Sequence, residues 1–193
     1  MRPLLTILLL CIFPICFLGQ QDLKDWEGDW KGEMTGFNDG KVHFLVKTEM
    51  HIQPSTRCKN CWDWQTSYYG DTLSEKVGVV IKDYWMALDS TDGCNMTLHE
   101  PDQDGIDIHF QKMGSMIMGS YSISAYDELG NDNPEKQTIY YSQYELEGDV
   151  LTFDLSFFEY DLSKFGLDEL NSNVGMLRPL GKQRSVLHRI INK

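Results

Sequence analysis

The sequence alternates between apolar and polar side chains over long stretches, which limits the folds open to it. From Val42 to Ile52 nearly every second residue is apolar, and the residues between are mostly polar or charged. Successive side chains of a strand point to opposite faces, so this pattern predicts a long strand with one buried face. The same alternation returns at Trp62 to Tyr68, Ile106 to Phe110 and Leu151 to Phe157. The chain is therefore predicted to be mainly β.

Turn-forming residues separate these runs and predict short hairpins, as at Asn38-Asp39-Gly40, Asp104-Gly105, 130–134 and Glu147-Gly148-Asp149. About eight or nine strands are expected from the runs. The runs are Trp26 to Phe37, Val42 to Ile52, Trp62 to Tyr69, Val77 to Asp89, Asn95 to Leu98 with Ile106 to Gln111, Met116 to Tyr126, Thr138 to Leu146, Val150 to Glu159, and one near Ser185 to Ile191.

Two segments depart from simple alternation. Between Val79 and Leu88 the apolar positions change from odd to even, which predicts a bulge or a sharp bend. Asp161 to Leu170 predicts one short helix, and residues 171–182 predict an irregular connector. The expected fold is an all-β, antiparallel up-and-down barrel with a short C-terminal helix, and a β-sandwich is the alternative.

The N-terminus has the order of a secretory signal. Arg2 precedes an uncharged, apolar run from Pro3 to Leu18, and Gly19 and Gln20 follow. That run is shorter than the roughly 20 residues of a membrane-spanning helix, and no second run follows it. We therefore expect residues 1–20 to be a cleaved signal peptide. Residues 21–193 are then one secreted, soluble domain with no membrane span, which would be periplasmic in a Gram-negative bacterium.

Charge and composition narrow the function classes. The chain has 17 Lys and Arg against 29 Asp and Glu, a net charge of −12, which repels phosphate backbones and makes a nucleic acid an unsuitable partner. Apolar residues form 41% of the chain and aromatic residues 12%, enough for a sizeable core. The composition indicates an acidic globular protein, and nothing in it indicates an oligomeric state.

The predicted first strand begins with Gly28-Asp29-Trp30 after a short polar turn. This resembles the Gly-x-Trp signature of lipocalins and of the wider calycin group of ligand-binding barrels. The resemblance implies that Trp30 closes one end of the barrel and that a basic residue beyond the last strand, Arg189 or Arg184, packs over it. The alternative is that Trp26 and Trp30 are ordinary core aromatics.

Three cysteines follow the predicted signal peptide, and an exported chain folds where disulfides can form. A bridge from Cys94 to Cys58 or Cys61 would close the longer loop and is preferred on entropy, while Cys58 with Cys61 is the nearest pair. The Cys58-x-x-Cys61 spacing also fits a redox pair, but no helix follows it. A zinc site would add His51 or His99 to the cysteines, and the disulfide is favoured over it.

No catalytic motif is present, so we expect neither an enzyme nor a bound cofactor or metal. Residues 100–107 resemble a calcium loop, but strand alternation begins inside it and a hairpin is favoured. Asp63 and Asp83 are a conceivable glycosidase pair whose separation the sequence leaves open. Asn95-Met96-Thr97 is a glycosylation sequon, relevant only in a eukaryotic host.

The leading functional hypothesis is a secreted binding protein with a small apolar molecule inside the barrel. Its rival is a structural or interaction module whose interior is filled by side chains, and an enzyme of unrecognised type is the third class. The aromatic residues fit either a lined or a filled interior. The expected cavity wall comprises Val42, Phe44, Val46, Met50, Trp62, Trp64 and Phe153.

Overall fold

Ten antiparallel strands close into a barrel in the computed structural model, which describes residues 22–70, 79–89, 93–101, 106–126, 132–161 and 178–191. Each strand pairs with its neighbours in sequence, and the last pairs with the first. After a 3₁₀ helix at Lys24–Trp26, the strands are β1 (Gly28–Asn38), β2 (Lys41–Pro54), β3 (Cys61–Tyr69), β4 (Val80–Leu88), β5 (Asn95–Glu100), β6 (Ile106–Met113), β7 (Met116–Tyr126), β8 (Asp132–Glu147), β9 (Val150–Asp161) and β10 (Arg178–Arg189).

The up-and-down barrel is as predicted, but its strand count is not. β5 and β6 are separate, paired strands that the sequence pattern joined into one. β10 begins at Arg178, so residues 178–182, predicted as a connector, are strand. A register shift between Pro179 and Gly181 accommodates the proline, which cannot donate to a regular ladder. The described residues contain no α-helix; Asp161 ends β9, and the rest of the predicted helix, 162–170, lies outside them, as does the predicted signal peptide.

Tight turns join several strands where the sequence predicted hairpins. Asp39 and Gly40 link β1 to β2 with φ of 49° and 72°, the left-handed geometry of a two-residue turn whose twist matches a hairpin. Gly148, with φ of 60°, opens the turn between β8 and β9. These turns fix the register of their hairpins, and therefore fix which side chains point into the barrel.

The bulge predicted in β4 is wrong. β3 and β4 pair without a register shift from Tyr68 with Val80 to Cys61 with Ala87. Val79 and Ile81 instead remain on the outside, each 51% exposed. Even-numbered residues of β4 therefore point inward along its whole length, including Lys82 and Tyr84.

The core fills one end of the barrel, the closed end, where β1 begins and β10 ends. Leu23 and Trp26 of the N-terminal segment are buried there, with Trp26 centred 6.0 Å from Trp64. Trp30 Nε1 donates to the Trp26 carbonyl at 3.0 Å, which ties the segment to β1. The buried core also includes Ile52, Trp62, Met86, Leu88, Met96, Leu98, Phe110, Ile117, Leu146, Leu151 and Leu187.

Candidate functional site

A cavity of about 430 Å³ lies inside the barrel beyond this packed core. Because alternate residues of each strand face inward, the strands contribute apolar, tyrosine and polar side chains to one wall. The apolar residues are Met34, Met50, Leu98, Ile108, Phe110, Ile123, Phe153 and Leu155; the tyrosines are Tyr68, Tyr84, Tyr121, Tyr140 and Tyr144; the polar residues are Thr48, Thr66, Lys82, Glu100, Ser142, Gln183 and Ser185.

An ion pair lies in the cavity wall. Lys82 Nζ is 2.7 Å from Glu100 Oε1, and the two side chains are 24% and 10% exposed. Trp85 pairs with His99, and continuing this antiparallel register places Glu100 opposite Tyr84. Lys82 is the next inward residue of β4, so its side chain reaches Glu100 diagonally. A buried ion pair is costly to desolvate, and removing one partner leaves an uncompensated charge. The cavity wall therefore contains two opposite charges, with Glu100 buried and Lys82 half-buried.

Burial holds three tyrosines of the cavity, Tyr68, Tyr121 and Tyr144, in their neutral form by raising the pKa of each. Burial, and secondarily the negative charge of Glu100, raises the pKa of Tyr68 to about 12. Burial also raises the pKa of Tyr121 to about 12, with Tyr140 and Glu100 adding to the shift. Tyr121 is stacked on Tyr140 with their rings 4.8 Å apart. At neutral pH these residues provide ring faces together with hydroxyls that can donate and accept hydrogen bonds.

One polar atom of the wall has no partner. Thr48 Oγ1 is buried and makes no hydrogen bond within the described part of the chain. Thr48 is 1% exposed and lines the cavity. Buried hydroxyls are nearly always satisfied in folded proteins, so an unpaired one on a cavity wall marks a position where a ligand or water can bind.

The predicted wall residues divide into three groups. Met50 and Phe153 line the cavity. Trp62 and Trp64 are buried in the packed core at the closed end, at 6% and 0% exposure. Phe44 and Val46 are half-buried on the inward side of β2 and contribute nothing to this cavity, while Val42 is 65% exposed.

Sequence reasoning missed Lys82, Glu100 and three of the tyrosines, Tyr121, Tyr140 and Tyr144. For β4 the signal was available, because Met86 and Leu88 are inward and an unbroken strand then turns Tyr84 and Lys82 the same way. The predicted bulge hid this consequence for Lys82 only, because the phase change was placed between Ile81 and Tyr84. Glu100 was assigned to a loop, whereas it is the last residue of β5 and points inward.

Arg189 lies over Trp30 at the closed end. Its guanidinium carbon is 4.2 Å from the centre of the Trp30 ring, and Nη2 donates to the Asp25 carbonyl at 2.6 Å. Nη1 donates to the carbonyl of Glu27. Gly28 lies directly beneath, and a Cβ there would be 3.1 Å from Arg189 Nη1 at a φ of +135°, which L side chains rarely adopt. Arg184, the other arginine suggested by the resemblance, is 3.5 Å from Asp154 on the outer face.

The cysteine pairing preferred on loop entropy is wrong. Cys58 is bonded to Cys61, with Cα atoms 5.4 Å apart. A tight turn brings them together, because Asn60 has a φ of 64° and the Ser55 N–H donates to the Cys61 carbonyl at 2.8 Å. Local geometry therefore outweighs the entropy of closing a longer loop. The turn precedes a strand, β3, which gives neither thiol a helix N-terminus.

The other sites considered from sequence lie on the outer face or outside the described residues. His51 pairs with Asp29, and His99 with Asp107 at 2.5 Å. Asp63 is 3.3 Å from Arg57 on the outer face of β3. Within the described ranges no group of three His, Cys, Asp or Glu could hold a metal ion. Residues 102–105 of the calcium-like loop are outside those ranges.

Comparison with known proteins identifies no family. No protein-family model matches the chain, and no curated protein matches it significantly in sequence. Among the residues described, no helix has the length and apolar character needed to cross a bilayer.

Proposed function

We propose that the protein is a secreted binding protein that holds a small, largely apolar molecule in the barrel cavity. The observation that carries the proposal is the cavity itself, whose volume of about 430 Å³ lies within the usual range of roughly 300–1,000 Å³ for small-molecule sites. Phe110, Phe153 and Leu155 give it apolar contacts, and the packed core provides a floor.

We further propose that the barrel is related to lipocalins within the calycin group. Support comes from the closed end, where Trp30 is covered by Arg189 and the preceding segment packs across the barrel. The ten strands argue against the narrower lipocalin identification, because lipocalin barrels have eight. A wider, calycin-like relationship is therefore the better proposal.

Secretion is proposed on the N-terminal sequence and is supported by the Cys58–Cys61 disulfide, a bond typical of oxidising compartments. N-terminal sequencing of the protein recovered from the culture medium tests this directly. We expect the first residue near Gln21, and an intact Met1 in that fraction would contradict the proposal.

The rival function is an interaction module with a filled interior, and the solid core at the closed end is the observation in its favour. The two functions differ in whether the remaining space accepts a guest. Titration with N-phenyl-1-naphthylamine, a neutral apolar dye, tests this by dye fluorescence. We expect a Kd below the millimolar level that marks even weak specific binding.

A matched pair of variants locates the dye. Ser142 is 3% exposed and lines the cavity, so Ser142→Phe places a ring in the proposed binding space. Ser122 is exposed on the outer face of β7, and Ser122→Phe adds the same ring there. We expect Ser142→Phe to weaken binding at least tenfold and Ser122→Phe to leave it unchanged. Absence of binding to the wild type, or equal binding by both variants, would favour the filled interior.

A further inference from the structure

Four polar side chains form a stripe across one wall of the cavity. Thr48, Thr66, Lys82 and Glu100 come from the consecutive strands β2, β3, β4 and β5, and all four line the same space. Thr66 pairs directly with Lys82, and on its other side it pairs with Met50, two residues from Thr48. Thr48 and Thr66 are therefore diagonal neighbours on the inward face. Thr48, Thr66 and Glu100 are each at most 8% exposed. A wholly apolar guest would leave Thr48 Oγ1 on this stripe without a hydrogen-bond partner.

The charges of the stripe restrict what a guest can carry. Lys82 and Glu100 neutralise each other, so an anionic guest attracted to Lys82 would also meet the Glu100 carboxylate. A cationic guest attracted to Glu100 would likewise meet the Lys82 ammonium. A third charge beside this largely buried pair would be uncompensated, and buried unpaired charges are costly. The pair therefore favours a guest with no net charge at this point.

Both members of the pair retain hydrogen-bonding capacity. An ammonium has three donors, of which one contact, to Glu100 Oε1, is made at 2.7 Å. A carboxylate accepts at two oxygens, so Glu100 can take a further donor. A neutral group with a donor and an acceptor side by side can therefore accept from Lys82 and donate to Glu100. The unpartnered Thr48 Oγ1 lies on the same stripe as a third contact.

We propose that the ligand is amphipathic, with an apolar body and a neutral, amide-like head that bridges Lys82 and Glu100. This rests on the proposed function and specifies its ligand class. The head would lie against the stripe, and the body would lie against Phe153 and Leu155 on strand β9.

Four probes with one common body test the head chemistry by isothermal titration calorimetry. They are 2-methylnaphthalene without a polar head, 2-naphthamide, 2-naphthoate and 2-naphthylmethylamine in its ammonium form. We expect 2-naphthamide to bind about tenfold more tightly than each of the others. That factor corresponds to about 1.4 kcal/mol, the size of one hydrogen bond to a charged group.

Variants of the pair should change the preference in opposite directions. Glu100→Gln removes the ion-pair partner of the Lys82 ammonium and should make 2-naphthoate the tightest ligand. Lys82→Met removes the ion-pair partner of the Glu100 carboxylate and should make the ammonium probe the tightest ligand. The double variant removes both charges and therefore contains no unpaired buried charge, so it remains a test if a single variant fails to fold. In the double variant, 2-naphthamide should bind less than threefold more tightly than the other probes.

Lys31→Met is the matched control. Lys31 Nζ is 2.6 Å from Glu49 Oε1, also across two adjacent strands, but on the outer face with 58% and 37% exposure. This variant should leave all four affinities unchanged. Four equal affinities, or a wild type that prefers a charged probe, would overturn the amide-like head and leave the proposed function standing. Failure of all four probes to bind would refute both.

Discussion

Replacement of Trp30 by alanine tests the closed end of the barrel. Trp30 is fully buried, its Nε1 donates to the Trp26 carbonyl, and the Arg189 guanidinium lies 4.2 Å from its ring centre. The substitution removes the ring, leaves the Trp26 carbonyl without that donor and leaves Arg189 without its aromatic partner. All three changes destabilise the folded state.

The magnitude follows from the buried surface. A tryptophan buries about 150–250 Å², which at about 25 cal/mol per Å² corresponds to about 4–6 kcal/mol as an upper bound. Measured losses for Trp→Ala in cores are about 3–5 kcal/mol. We expect Trp30→Ala to lower the free energy of unfolding by about 4 kcal/mol. Trp30→Phe keeps most of the apolar contact and loses the indole N–H, so it should cost about 1–2 kcal/mol.

Urea unfolding followed by far-ultraviolet circular dichroism, with the disulfide kept oxidised, measures these losses. The control is Trp85→Ala, because Trp85 is stacked on His99 on the outer face at a ring distance of 3.7 Å and is only partly buried. We expect the control to cost less than about 1.5 kcal/mol. A loss for Trp30→Ala below about 1 kcal/mol, or one equal to that of Trp85→Ala, would refute the closing role of Trp30.

Three further substitutions test the barrel wall and the outer face. A Cβ at Gly32 would overlap the Val186 carbonyl of β10, whereas one at Gly36 would overlap the edge of the Phe44 ring, a side chain that can move aside. Gly32→Ala should therefore cost about 2–3 kcal/mol in urea unfolding and Gly36→Ala about 1 kcal/mol. Equal costs would contradict this. A hydrogen bond from His51 to Asp29 raises the pKa of the imidazole in the folded protein. The protonated imidazole therefore contributes its full stabilisation below about pH 6.5, the pKa in the unfolded chain, and this stabilisation is lost as pH rises through the pKa of His51 in the folded protein. Both side chains are about half exposed, so the wild type should be more stable than His51→Gln by less than about 1 kcal/mol at pH 5.5. The difference should vanish by pH 9. A stability difference that grows as pH rises would contradict the raised pKa of His51.

The fold was predictable where the signal is local. Alternation identified β2, β3 and β9 because side-chain direction depends only on position within a strand. The start of β10 was missed because Pro179 and Gly181 indicate a loop, and only pairing with β9 across a register shift makes them strand. Pairing partners are distant in sequence, so no local pattern contains this information.

The sequence predicted which side chains of the site point inward, but not how far along the barrel axis each one lies. Met50, Trp64 and Phe153 all point inward, but Trp64 pairs with Ile52 near the closed end and belongs to the core. Depth along the barrel depends on how strands are staggered, which alternation does not reveal. Alternation alone would have distinguished Arg189 from Arg184. Leu187 of β10 is buried, so odd-numbered residues of this strand, including Arg189, face the interior, and even-numbered residues such as Arg184 face outward.

Aromatic content by itself is compatible with both a filled and a hollow barrel, and cross-strand pairing shows where three of the rings lie. Three inward glycines each lie opposite a phenylalanine on the neighbouring strand. The pairs are Gly36 with Phe44, Gly119 with Phe110 and Gly181 with Phe157. Each ring covers its glycine, since a Cβ added at Gly119 or Gly181 would lie 2.7 Å from the ring opposite. A ring that lies across a glycine packs against the barrel wall, and of these three rings Phe110 lines the cavity where it meets the packed core.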